Sequence, residues 1–142
     1  MNSRSNDLAL LVLRLFVGGL MLLHGIHKIS QGFDAGLAQI ELMLTEQGLP
    51  EALAIGVYVG EILAPVLLIL GVLVRPAALI VGFTMLMSIW LAYGSDLFAT
   101  SDHGGSVIEV NLLYFAGSLA LALAGGGRIA IRRGSSGVET ED

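Results

Sequence analysis

Apolar residues fall along this chain in four blocks separated by polar joints. Residues 8–26, 52–74, 76–93 and 107–124 each approach the roughly twenty positions an α-helix needs, at about 1.5 Å per residue, to cross about 30 Å of hydrocarbon. Between the first two blocks the pattern changes. Leu37, Ile40, Met43 and Leu44 recur at helical spacing, with Gln39, Glu41, Glu46 and Gln47 on the remaining positions. That spacing predicts a short amphipathic helix on the membrane surface, closed by Gly48 and Pro50. Gly71 can release the second long helix and Pro76 suits the first turn of the third, so these two form a tight antiparallel hairpin. Gly125, Gly126 and Gly127 stop the fourth. The expected fold class is all-α: an integral membrane four-helix bundle with an interfacial helix in its first outer loop. Residues 1–130 form a single domain, and 131–142 a disordered cytoplasmic tail. Arg14 interrupts the first block and no small-residue cleavage site follows, so the first helix is expected to be retained rather than removed as a signal peptide.

Composition supports this pattern and removes several classes of chemistry. Hydrophobic residues make up 55% of the chain and charged ones 13%, against about a quarter charged in soluble domains. There is no cysteine, which excludes thiol relays, thiolate metal sites and disulfides. The net charge of -5 matters less than its distribution. With four spans, one face of the membrane receives Arg4, Arg75, Arg128, Arg132 and Arg133. The other receives Lys28 with Asp34, Glu41, Glu46, Glu51, Asp96 and Asp102. The positive-inside rule then places both termini in the cytoplasm. No basic stripe exists for nucleic acid.

Four ionisable residues fall inside the blocks: Arg14, His24, Glu61 and Glu109. A charge at the bilayer centre costs about 2.5–3.5 kcal/mol even on insertion scales, so these groups are expected to face inward and find partners. From the rise per residue, Arg14 lies roughly 9 Å and His24 roughly 24 Å from the cytoplasmic face. Glu61 falls near the midplane, and Glu109 near the depth of His24. The expected pairs are Arg14 with Glu61 and His24 with Glu109. Arg14, Gly18, Met21, Gly25 and Lys28 share one helix stripe, whose glycines would admit a neighbouring helix closely. Gly56, Gly60 and Ala64 form a similar edge beside Glu61. Two readings stay open: charges that lock helices together, or a polar cavity for a small molecule or protons.

Other constellations carry less. His24, His27, His103, Asp102 and Glu109 gather toward one face, but no strict ligand motif joins them, so neither metal nor haem is expected. Gly125, Gly126 and Gly127 follow a helix rather than a strand, which makes them a helix stop and not a nucleotide loop. Trp90 and Tyr93 belong to an interfacial belt. Thr84 and Ser88, at i and i+4, can donate between helices.

Several segments resemble the DoxX family of small four-helix membrane proteins. "LRLFVGGLMLLHGIHKI" is similar to its opening signature, with Arg14, Gly18, Gly19, His24, Gly25 and Lys28. "QGLPEALA" and "GEILAPVLLILGVLVRPAAL" resemble its second helix and hairpin, with Gly60, Glu61, Gly71 and Arg75. "GGSVIEVNLLYFAGSLALALAGGGR" resembles its fourth helix, with Glu109. The resemblance covers about residues 8–130. It implies a multi-pass protein of the bacterial cytoplasmic (inner) membrane with a loose link to redox and sulfur metabolism, since the family takes its name from a subunit of thiosulfate:quinone oxidoreductase. The expected function is an accessory subunit of a membrane redox system, with a quinone- or lipid-like ligand lined by Arg14, His24, Glu61 and Glu109. The enzymatic contribution is at most that of a quinone-linked oxidoreductase subunit. The alternative is a non-catalytic scaffold with structural buried charges, and a third reading is a proton or small-solute path reaching Glu61. Expected partners are membrane lipids and a redox protein or a second copy of the chain.

Overall fold

The computed structural model describes residues 3–94, 96–100 and 104–131. Asp102, His103, Arg132, Arg133 and nearly all of the expected tail lie outside the described residues. Five helices follow in order: α1 (Ser3–Ser30), α2 (Phe33–Glu46), α3 (Glu51–Leu70), α4 (Val74–Tyr93) and α5 (Glu109–Ala124). The chain is an all-helical membrane-type protein. α1, α3 and α4 are long and apolar enough to cross a bilayer. α5 is equally apolar but has 16 residues, a rise of about 24 Å.

α1, α3, α4 and α5 pack around one core, built from Val17 and Met21, Ala64 and Leu68, Ala77, Ala78 and Val81, and Leu121. Small residues set the spacing. A Cβ on Gly18 would lie 2.9 Å from the Pro65 carbonyl oxygen, and one on Gly25 2.7 Å from that of Glu61. The glycine stripe of α1 therefore seats directly on the α3 backbone, as its spacing predicts. Gly60 does the same for α4, since a Cβ there would fall on the Thr84 side chain. Gly56 instead faces open space, so the small-residue edge of α3 begins one turn later than expected.

Several helix boundaries differ from the sequence pattern by a few residues. The second long helix stops at Leu70, because Gly71 is left-handed (φ 75°), and α4 begins at Val74 rather than Pro76. Proline at the third helical position costs no hydrogen bond, because the first four N–H groups of a helix have no partner in it anyway. The last helix begins at Glu109 rather than residue 107. α2 is amphipathic as expected. Leu37 and Leu44 are buried against Ala54 and Tyr58, with Ile40 packed beside them. Tyr58 stacks on Phe33 (4.8 Å between centroids) and donates its hydroxyl to the Phe33 carbonyl at 3.0 Å. The α2 apolar face is thus covered by the start of α3.

α3 is not uniform. It opens with a 3-10 turn at Glu51–Ile55 and contains a π-helical turn at Val59–Leu63, immediately before Pro65. Proline has no N–H to give the carbonyl of residue 61 four positions back. Such wide turns recur at functional positions, and this one carries Glu61.

Candidate functional site

Helix register decides which charges meet. Because Gly25 lies against Glu61 and Gly18 against Pro65, α1 and α3 run antiparallel with residue 25 level with 61. Arg14 is eleven residues from that level, about 16 Å along the helix, too far for the expected Arg14–Glu61 pair. Lys28 takes the place instead, its Nζ donating to Glu61 Oε1 at 2.5 Å. The glycine stripe itself points to Lys28, which lies on it one turn beyond Gly25. Glu61 is buried, while the Lys28 side chain retains 28% exposure. The second carboxylate oxygen, Oε2, is buried without a partner.

Around Lys28 and Glu61 the helices are joined by a layer of polar contacts. Thr84 of α4 rests over Gly60, with its hydroxyl donating to the Ile80 carbonyl of its own helix. Asn111 of α5 donates its amide to Ser88 Oγ of α4 at 3.1 Å. His24 of α1 meets Tyr114 of α5 edge-on, with centroids 6.0 Å apart. Of the Thr84 and Ser88 pair, only Ser88 bonds between helices. Asn111 escaped the sequence reading, although an amide in an apolar helix is a signal of its own.

The expected His24–Glu109 pair is also corrected. His24 is exposed, and its Nδ1 donates to the Leu20 carbonyl one turn back at 2.9 Å. Glu109 is exposed in the first turn of α5, where the helix dipole favours a carboxylate without any partner cation. His27 is exposed and accepts from Gln31 Nε2 at 2.8 Å. The layer therefore gathers Lys28, Glu61 and His24, and leaves out Arg14 and Glu109.

Arg14 belongs to the opposite end. Its side chain is 2% exposed. Nη1 donates to the Gly126 carbonyl at 2.8 Å, and the guanidinium lies against Gly71. Both contacts follow the C-terminal ends of helices, α3 and α5, where carbonyls carry partial negative charge. The cation is thus compensated by backbone and not by a carboxylate. Arg75 reaches the Leu123 carbonyl at 3.4 Å, and the Arg128 N–H donates to Asp7 Oδ1 at 2.9 Å. Arginines cluster at this end and Lys28 lies toward the other, so the charge asymmetry seen along the chain becomes an asymmetry of the molecule.

Comparison with known proteins agrees with these segments. The DoxX family model matches residues 9–94. The chain belongs to the DoxX family. The matched stretch of this DoxX protein runs from α1 through α4 and includes Arg14, His24, Lys28 and Glu61; α5, with Glu109 and Asn111, lies beyond it. No curated protein and no solved structure matches the chain.

Proposed function

We propose that this DoxX protein is a four-span accessory subunit of a redox system in the bacterial cytoplasmic membrane. In this reading it holds a quinone-like head group at the Lys28–Glu61 corner. The observation that carries the ligand reading is the half-paired carboxylate of Glu61, one oxygen on Lys28 and the other buried with no partner. An unsatisfied buried acceptor costs about 1–3 kcal/mol, a cost that a proton or a ligand donor would remove. Lys28 Nζ can donate to a carbonyl oxygen, and Glu61 Oε2 is the atom at which a proton can be held and passed on. The partly exposed Lys28 side chain would give a ligand access without opening the core. A bound quinone would supply two-electron, two-proton chemistry, with electrons from a redox partner, because a chain without cysteine has no thiols to relay them. In this reading the set is smaller than the sequence implies: Arg14 is about 16 Å along the helix from this level, and Glu109 is exposed at the start of α5.

The membrane placement has its own support. α5 brings about 24 Å of apolar helix antiparallel to α4, and a fourth span puts both termini on the arginine side, the cytoplasm by the positive-inside rule. α2 then lies at the outer interface, with Leu42 and Phe33 facing outward toward lipid. A second reading, a scaffold without ligand, draws on Arg14, whose contacts serve helix ends alone.

Extraction of the detergent-purified protein and identification of small molecules by mass separates the two. The expected result is co-purifying quinone in the wild type and its loss in Glu61→Gln and Lys28→Met, with Arg14→Met retaining it. A quinone-free preparation that also fails to bind added quinone overturns the ligand reading and leaves the scaffold.

A further inference from the structure

At the arginine end the hairpin between α3 and α4 and the segment after α5 enclose an open cavity of about 740 Å³, with Asp7, Arg75, Gly125, Gly126, Gly127 and Arg128 among its lining residues. Its charge is lopsided. Arg75 and Arg128 stand on the wall with no carboxylate in salt-bridge range among the described residues. Arg14 lies behind Gly126 with its Nε buried and unpartnered. The one lining acid, Asp7, already accepts the Arg128 backbone N–H. Arg75 is moreover the second residue of α4, where the helix dipole disfavours a cation. No side chain caps that helix. The carbonyl end of α5 offsets only part of this positive field, because Arg14 and Arg75 already engage it.

The shape fits an anion as well as the charge does. Gly125 and Gly127 have positive φ (80° and 71°) and present backbone without side chains to the cavity. A Cβ on Gly125 would stand 3.4 Å from Arg75 Nε. The remaining wall, Val72, Leu73, Val74 and Ile131, is apolar. A site lined by two arginines and by aliphatic residues matches a phosphate joined to a greasy body.

We infer that this cavity binds the phosphate of an acidic phospholipid head group from the leaflet on the arginine side. It is distinct from the Lys28–Glu61 corner and does not depend on a quinone there. The test uses the full chain in mixed micelles, with native mass spectrometry of retained phosphatidylglycerol against phosphatidylcholine. Preferential retention of phosphatidylglycerol is expected. At about 1 kcal/mol for each arginine near a lipid phosphate, Arg128→Gln should weaken it about fivefold and R75Q/R128Q roughly thirtyfold. R75K/R128K, which keeps the charge, should hold most of the preference. Helix content by circular dichroism checks that each variant is folded; Arg128, whose side chain makes no hydrogen bond among the described residues, is the variant least able to perturb packing. Inorganic phosphate is the second probe. Displacement of the lipid at millimolar phosphate assigns the same site to free phosphate, and no displacement assigns it to lipid. Equal retention of the two lipids together with no phosphate binding, or an unchanged preference in folded R75Q/R128Q, overturns the inference.

Discussion

The two ends of this bundle handle buried charge in opposite ways. At one end Arg14 is held by a hydrogen bond to the Gly126 carbonyl beyond α5 and by packing against Gly71 after α3, partners made of backbone. At the other, Glu61 is neutralised by one flexible lysine and keeps a buried oxygen in reserve. A backbone clamp cannot change state without unwinding a helix end. A lysine–carboxylate pair can, by gaining a proton, a ligand or a rotamer. In the proposed reading the contrast makes Arg14 a structural group and Glu61 an adjustable one.

The largest expected effect tests the adjustable end. Lys28→Met would leave the buried Glu61 without its partner, at a cost of about 3 kcal/mol or more. Adding Glu61→Gln should recover most of that loss, since the neutral amide needs no cation. Unfolding in mixed micelles titrated with dodecyl sulfate measures both, and additive losses in the double variant would mean that the two side chains do not interact.

Arg14→Met comes next. It removes the donor to Gly126 and should cost about 1–3 kcal/mol for the carbonyl left unpaired. Here Glu61→Gln should give no recovery. Sites this far apart add to within about 0.5 kcal/mol, so a rescue would restore the Arg14–Glu61 pair that the helix register argues against.

Much of this was legible in the sequence, and the losses have a common cause. The apolar blocks, the amphipathic α2 and the glycine stripe of α1 are read from periodicity, and each appears within a few residues of where the pattern puts it. The pairing of charges is not periodic. It depends on the relative height of two helices, which for α1 and α3 is set by where Gly25 and Gly18 meet the α3 backbone. Depth estimates from span boundaries placed Arg14 near Glu61; α1 in fact runs from Ser3 to Ser30 and α3 ends at Leu70, and four or five residues at an end shift the level by more than a turn. Backbone partners such as Gly126 leave no trace in a search for oppositely charged side chains. Glu109 was placed inside a span only because the apolar run starts two residues before its helix does.

That register is itself open to test, with an effect no larger than that of Arg14→Met. Gly18→Ala would press a methyl onto the Pro65 carbonyl and should cost about 1–3 kcal/mol by overpacking. Gly19, the next residue, has open space where its Cβ would be, so Gly19→Ala should be neutral or stabilise the helix by up to about 1 kcal/mol. The same micelle titration reads both, and equal effects would dissolve the distinction between the packed and outward faces of α1.

The smallest effect probes how far the polar layer at the Glu61 end works as a unit. Asn111 donates to Ser88 across α4 and α5, and its Nδ2 also lies 4.0 Å from Met85 Sδ. An interhelical hydrogen bond in a membrane is worth about 0.6 kcal/mol on average, so Asn111→Ala alone should cost about that much. If the layer is only a set of separate bonds, combining Asn111→Ala with Glu61→Gln gives the sum of the two losses. If the polar contacts hold Glu61 Oε2 in its unpartnered position, loosening α5 lets the carboxylate relax. The double variant then departs from additivity by more than about 0.5 kcal/mol, the margin seen for independent sites. Asn111 lies beyond the stretch matched by the family model, so such coupling would tie α5 to the Lys28–Glu61 corner by measured energy. Strict additivity would confine the adjustable site to α1 and α3 and leave α5 as a lid of ordinary packing.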